Sequence, residues 1–259
     1  MPPYKKLGSF ATLRRIVARL RGPRGCPWDR KQTPGSLRTS FLEEAYEVLE
    51  AIEKNDPDAL RDELGDMMLH VMLQSQMAAE SGRFTIDDVI EGINRKLVRR
   101  HPHVFGGNRV SGAEEVAANW EVLKREERPE GKSLMDSVPE HLPALARANS
   151  LQRRAANIGF DWPDMSGIME KLSEEVTELE KAGNQQEKAR EFGDVLFTLV
   201  NVARRMNIDL EVSLREANKR FSERFRYMEA QCRKRKLELE KLTLEEMDAF
   251  WNEAKRKLQ

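Results

Sequence analysis

One acidic signature occurs twice in this chain, and the two occurrences are in register. Glu44-x-x-Glu47 followed by Glu63-x-x-Asp66 returns as Glu175-x-x-Glu178 followed by Glu191-x-x-Asp194. Both acids of each pair recur at one common offset, and the offset of the second pair is slightly the smaller, so the later copy is shorter between its acidic segments. Side chains three apart share one face of a helix. Two such helices packed together aim four carboxylates into one small volume. Charges that close repel, and a divalent cation between them relieves the repulsion. The chain is therefore read as an internal duplication built around clustered carboxylates.

The frame around the acids repeats too. Glu63-Leu64-Gly65-Asp66-Met67-Met68-Leu69 aligns with Glu191-Phe192-Gly193-Asp194-Val195-Leu196-Phe197, and Asn94-Arg95-Lys96-Leu97 with Asn218-Lys219-Arg220-Phe221. Each unit thus has at least three corresponding helices. Trp28-Asp29 resembles Phe160-Asp161 more loosely, in a turn before the first acidic helix. In a chain that is 34% charged, one acidic pair is expected on a solvated helix face. Two pairs repeated in register are not. Gly65 and Gly193 lie inside the second pairs, where glycine costs roughly 1 kcal/mol relative to alanine. A neighbouring helix or a bound ligand shell is expected to approach the backbone there.

Abundant Glu, Lys, Leu, Ala and Arg, with only 7% aromatic residues, suit an all-α protein. Its 259 residues suffice for two domains. We expect an N-terminal domain over 1–125, a linker over 126–143 rich in proline, and a C-terminal domain over 144–259. Helices are expected over 9–21 and 36–54, the latter with Phe41, Ala45 and Val48 on its apolar stripe. The next begins at an Asp56 cap and Pro57, with Leu60, Leu64, Met67 and Val71 inward. Capping boxes are expected at Ser111-x-x-Glu114 and Thr243-x-x-Glu246.

Balanced charge, 44 basic against 44 acidic residues, gives no reason to expect nucleic-acid or membrane binding. Cys26 and Cys232 form no disulfide framework, and four histidines do not make a zinc cluster. No signal-like or membrane-spanning segment stands out, and the expected compartment is the cytoplasm. All-carboxylate sites suit Mg²⁺, with Mn²⁺ as substitute, and such ions leave positions that substrate phosphates commonly fill. A polyphosphate ligand would need cations nearby. Lys219, Arg220 and Arg224 supply them in the second copy, and Lys96 and Arg100 stand at the corresponding places in the first.

These motifs, together with Cys26-Pro27-Trp28-Asp29, Arg99-Arg100-His101-Pro102-His103-Val104-Phe105 and Asn157-x-Gly159-Phe160-Asp161-Trp162, resemble the all-α nucleoside triphosphate pyrophosphohydrolases of the MazG type, and specifically their tandem-domain members. The resemblance spans about residues 10–258. It implies two MazG-like helical bundles, a homodimer, and Mg²⁺-dependent hydrolysis of nucleoside triphosphates to monophosphate and pyrophosphate. It further implies that Glu175, Glu178, Glu191 and Asp194, and equivalently Glu44, Glu47, Glu63 and Asp66, hold metal. Lys171, Glu174, Lys188, Arg220, Arg224 and Trp251 match positions that contact nucleotide, with Trp251 a stacking surface for the base. Relatives often carry lysine where this chain has Arg220, which changes phosphate geometry.

The expected chemistry is in-line attack of water on the phosphate chain, its pKa lowered by the cation and its proton taken by Glu175 or Glu178. We expect the second copy to be the principal catalytic unit, because it is richer in nearby Lys and Arg and it alone is followed by a C-terminal helix bearing a tryptophan, Trp251. Two other readings compete. A di-iron carboxylate protein characteristically uses Glu-x-x-His, whereas His70 follows Asp66 by four positions and its counterpart is Thr198. His70 is expected to pack or to support the site. A non-enzymatic helical adaptor could use the run Arg233-Lys234-Arg235-Lys236, but would have no use for eight aligned acids.

Overall fold

The structure is a computed structural model that describes residues 6–127 and 131–258. The chain divides into two compact units, Met1–Glu126 and Glu127–Gln259. Unit 1 contains α1 (Phe10–Arg21), a short α2 (Pro27–Lys31), α3 (Arg38–Glu53), α4 (Pro57–Glu80), α5 (Ile86–Arg100), a one-turn α6 (Pro102–Phe105) and α7 (Ala113–Glu126). Unit 2 contains α8 (Ala144–Ala156), α9 (Met165–Lys181), α10 (Gln185–Arg205), α11 (Leu210–Arg235) and α12 (Leu244–Lys257). The described residues include no strand, and the fold is all-α.

The two units repeat one plan. The acidic helices pack as hairpins, α3 on α4 and α9 on α10, and a preceding helix lies on the second of each pair: α1 on α4, α8 on α10. Each second helix starts at an Asx cap. Asp56 Oδ1 accepts from the amides of Asp58 and Ala59 at 3.1 and 3.0 Å, and Asn184 Oδ1 accepts from Glu187 at 2.9 Å. Pro57, lacking an N–H, occupies the helical position where none is needed. In unit 1 the tight turn into this cap is made by Asn55 at φ 51°, a left-handed conformation that Asn tolerates.

The duplication extends into the core. Leu37 and Ile168, separated by the same offset as Glu44 and Glu175, are both buried, the latter completely. At the offset that carries Glu63 to Glu191, Met72 matches Val200, Leu73 matches Asn201, Ser75 matches Ala203 and His70 matches Thr198, and every one of these side chains is buried. A fully buried aliphatic side chain of this kind contributes about 1.5–3 kcal/mol. The loose Trp28-Asp29 correspondence does not extend to contacts. Arg21 donates to the carbonyls of Asp29 and Gln32 and pairs with Glu80 at 2.7 Å, joining α1, α2 and α4. In unit 2 the Asp161 carboxylate itself pairs with Arg204 at 2.5 Å.

Three local expectations are corrected. On α4 the stripe Leu60, Leu64, Met67, Val71 is not the inward face: Leu64 and Val71 are 50% and 41% exposed, while His70, Met72, Leu73, Ser75, Met77 and Ala78 are buried. Ser111 takes Glu115, not Glu114, as its partner, through its amide at 2.8 Å and hydroxyl at 2.7 Å. At Gly65 and Gly193 a Cβ would meet nothing within 4 Å, so among the described residues no neighbouring helix crowds either backbone, and of the two expected neighbours a helix of the described chain is ruled out. The Thr243–Glu246 box is present on α12, and an unanticipated Thr85–Asp88 box starts α5.

The expected linker 126–143 includes residues 128–130, which lie outside the described residues. Its later part belongs to unit 2: Val138 is buried, and Arg154 of α8 donates to the Ser137 carbonyl and hydroxyl, both at 3.0 Å. Among the described residues no helix is long and apolar enough to cross a membrane.

Candidate metal and nucleotide site

The hairpins bring the acids together as their spacing requires. In unit 1, Glu44 of α3 and Glu63 and Asp66 of α4 place carboxylate oxygens within 4.8 Å of one another. In unit 2 the group is Glu175 and Glu178 of α9 with Glu191 of α10. The fourth members stand beside these triads. Glu47 is close enough for its charge to act on Glu44 and Glu63, and Asp194 acts on Arg190. Each cluster consists only of hard oxygen donors, the chemistry that suits a divalent cation of the Mg²⁺ or Mn²⁺ kind, so the residues present fit such an ion.

The clusters differ in electrostatics. In unit 1 desolvation, followed by the charges of Asp66, Glu47 and Glu63, pushes the Glu44 carboxyl above its ordinary range. Glu63 is raised by desolvation and then by Glu47, Asp66 and Asp62. Among the described residues no Lys or Arg pairs with any of the four acids of this cluster. In unit 2 the two buried acids each have a cation. Lys171 Nζ lies 2.7 Å from Glu175 and 3.0 Å from Glu174, and the Arg190 guanidinium lies 2.5 Å from Glu191. Hydrogen bonding to Glu175 and then Glu174 raises the Lys171 ammonium, and bonding to Glu191 raises Arg190. Glu175 and Glu191 are 5% and 7% exposed, and such burial is tolerable because the charges are paired.

The other expected contact residues fall into a second group. Lys188 is exposed on the opening turn of α10. Arg220, Arg224 and Trp251 lie on the α11–α12 hairpin, which packs on α8. There Arg224 sits 5.9 Å over the Trp251 ring, and Phe221 lies 5.2 Å from it. Arg220 is exposed. Acids and aromatic platform thus stand on different helix pairs.

Unit 1 carries a matching platform, which corrects the expectation that only the second copy is followed by a tryptophan-bearing helix. Arg100 lies 5.2 Å over Trp120 of α7, and His101 meets the same ring edge-on at 4.9 Å. The signal was in the sequence: Glu114-Glu115 and Trp120 recur as Glu245-Glu246 and Trp251, again at the offset between Glu44 and Glu175. His70 is a packing residue, 6% exposed and edge-on to Phe41 at 5.7 Å. The basic run does not stand free, since Arg235 pairs with Glu253 at 3.2 Å and lies over Phe250.

Comparison with known proteins agrees with this plan. Residues 32–105 match the MazG nucleotide pyrophosphohydrolase domain, and residues 152–221 match the phosphoribosyl-ATP pyrophosphohydrolase family. The chain is 44% identical over 247 residues to the nucleoside triphosphate pyrophosphohydrolase/pyrophosphatase MazG of Thermotoga maritima, covering 95% of each chain. It is 43% identical over 249 residues to the nucleoside triphosphate pyrophosphohydrolase of Escherichia coli K12, covering 93% of this chain and 95% of that one. Bacillus subtilis YabN is 48% identical over an alignment of 264 positions that covers 98% of this chain and 54% of YabN. A duplicated acidic hairpin, an all-α plan and near full-length identity at this level mean that the chain belongs to the MazG nucleoside triphosphate pyrophosphohydrolase family.

Proposed function

We propose that the protein hydrolyses nucleoside triphosphates to the monophosphate and pyrophosphate with Mg²⁺, over a broad range of bases, and that unit 2 is the principal catalytic unit. The observation that carries this reading is the convergence of Glu175, Glu178 and Glu191 next to paired cations, in a chain of this family. Glu175, Glu178, Glu191 and Asp194 hold the cation, which when bound lowers the pKa of water and neutralises charge on the phosphate chain. Glu175 or Glu178 accepts the proton of the attacking water. The water oxygen bonds to the α- or the β-phosphorus and the bridging P–O bond between them breaks; the group that leaves with that electron pair is pyrophosphate in the first case and the nucleoside monophosphate in the second, with the same products.

Lys171, Lys188, Arg220 and Arg224 bind phosphate oxygens, and Trp251 stacks on the base. Glu174 keeps Lys171 in place from the other side. The protein acts as a homodimer. Val176, Phe192, Leu196, Phe197 and Leu199 leave an apolar surface on α9 and α10, and Gly193 leaves open space beside it. A second copy covering that face also explains why a glycine is kept in the helix. Such an activity serves control of nucleotide pools, including removal of aberrant triphosphates.

The test is product analysis with a panel of ribo- and deoxyribonucleoside triphosphates, with Mg²⁺ and with EDTA. Monophosphate and pyrophosphate in equal amounts, formed only with Mg²⁺, are expected. Diphosphate and orthophosphate would overturn the reading.

A further inference from the structure

The acidic hairpins differ in sign at the residue just before the second acidic pair. In unit 2 this residue is Arg190, whose Nε and Nη2 donate to Glu191 Oε1 at 3.0 and 2.5 Å. At the corresponding place in unit 1, just before Glu63, it is Asp62. The Arg190 side chain is 71% exposed whereas that of Glu191 is 10% exposed. The guanidinium therefore rests one edge on the carboxylate and turns the rest of its fork toward solvent at the mouth of the cluster. Asp62 instead accepts from Arg61 Nε at 3.0 Å, a pair exposed on both sides. The neighbouring difference has the same sense: Lys171, on Glu175, corresponds to Ser40.

A triphosphate that approaches carboxylates meets repulsion that a single cation does not cancel at the rim, so the sign of rim charges decides whether the chain is drawn in. Arginine also offers a planar fork that matches phosphate oxygens, which an aspartate opposes in both charge and hydrogen bonding. A cation held by the Glu191 oxygens would compete with Arg190 for them and free its guanidinium, beside the cluster, for phosphate oxygens. Building on the pyrophosphohydrolase reading, we propose that Arg190 is the specificity-determining residue that makes unit 2 a polyphosphate site. Asp62 leaves unit 1 a site that accepts a divalent cation and repels the triphosphate.

The full chain carries the test, with two probes: Mn²⁺ alone, followed by electron paramagnetic resonance, and α,β-methylene ATP with Mn²⁺, followed by calorimetry. Arg190→Asp is expected to weaken the analogue by about tenfold or more, to leave Mn²⁺ binding undiminished, and to raise KM with a smaller change in kcat. Asp62→Arg is expected to add a second analogue site per chain. If Arg190→Asp fails to fold, Arg190→Gln, which keeps a hydrogen-bond donor but removes the charge, and Asp62→Arg carry the measurement. Undiminished analogue binding in Arg190→Asp, or in Arg190→Gln where that stands in, overturns the proposal. So does an equal loss of Mn²⁺ alone, which would make Arg190 only a support for Glu191. A parent protein that neither binds the analogue nor releases pyrophosphate fails the underlying activity, whereas an active parent with an indifferent Arg190 fails this role alone.

Discussion

In unit 1, desolvation and then the charges of neighbouring acids raise both the Glu44 and the Glu63 carboxyls, with Glu47 and Asp66 acting on both and Asp62 on Glu63. In unit 2, the equivalent Glu175 and Glu191 are more deeply buried, yet each carries a cation on its oxygens. The hairpin plan, the Asx caps that start α4 and α10, and several buried positions are shared. The duplication therefore preserved what builds a hairpin, and the divergence lies in the charges around the acids. Under the roles proposed above, the cluster left repulsive takes a cation alone, and the one with its own counter-charges takes a cation together with phosphates.

The shared part of this comparison can be broken through the core. Leu37→Ala and Ile168→Ala remove equivalent buried side chains and are each expected to cost about 2–5 kcal/mol by urea denaturation. A cost below about 1 kcal/mol at either position would mean that the two cores are not equivalent. Gly65→Ala and Gly193→Ala come next. No described residue meets the added methyl, so each should gain about 1 kcal/mol in helix stability at low protein concentration. A loss at one position would identify the unit whose glycine packs against a second copy.

A smaller effect sharpens the electrostatic difference. Because the Glu44 carboxyl is raised in the folded, metal-free protein, folding is penalised once pH passes the ordinary carboxyl value, and the penalty is complete above the raised one. Below the ordinary value of 4.5 the group is protonated folded or unfolded, and the penalty vanishes. Glu44→Gln should therefore raise the melting temperature at neutral pH in EDTA, with an advantage that shrinks as pH falls through the raised value. Differential scanning calorimetry across pH checks this. A melting temperature lowered by Glu44→Gln at neutral pH in EDTA would contradict the repulsion.

Much of this was legible in the sequence, for reasons that differ by residue. The ExxE and ExxD spacings report helical faces directly, and the constant offsets from Glu44 to Glu175 and from Glu63 to Glu191 tie the copies together without any coordinates. The inward face of α4 was not legible because apolar residues run almost continuously from Met67 to Leu73, so periodicity fits several faces equally. Burial of His70 and Ser75 there depends on neighbours supplied by other helices. The Thr85 box escaped because aspartate closes it in place of the usual glutamate or glutamine. Trp120 was readable from its recurrence, and only the structure showed Arg100 lying over it. The cations on Glu175 and Glu191 come from positions four before and one before, relations that sequence allows but does not select.

The most direct test is side-by-side steady-state hydrolysis by Glu44→Gln and Glu175→Gln, measured as pyrophosphate release in the same buffer with Mg²⁺. The account predicts that Glu175→Gln loses turnover by about a hundredfold or more, while Glu44→Gln retains most of it. Turnover retained in Glu175→Gln and lost in Glu44→Gln would move the catalytic site to unit 1 and contradict the division of roles between the two units.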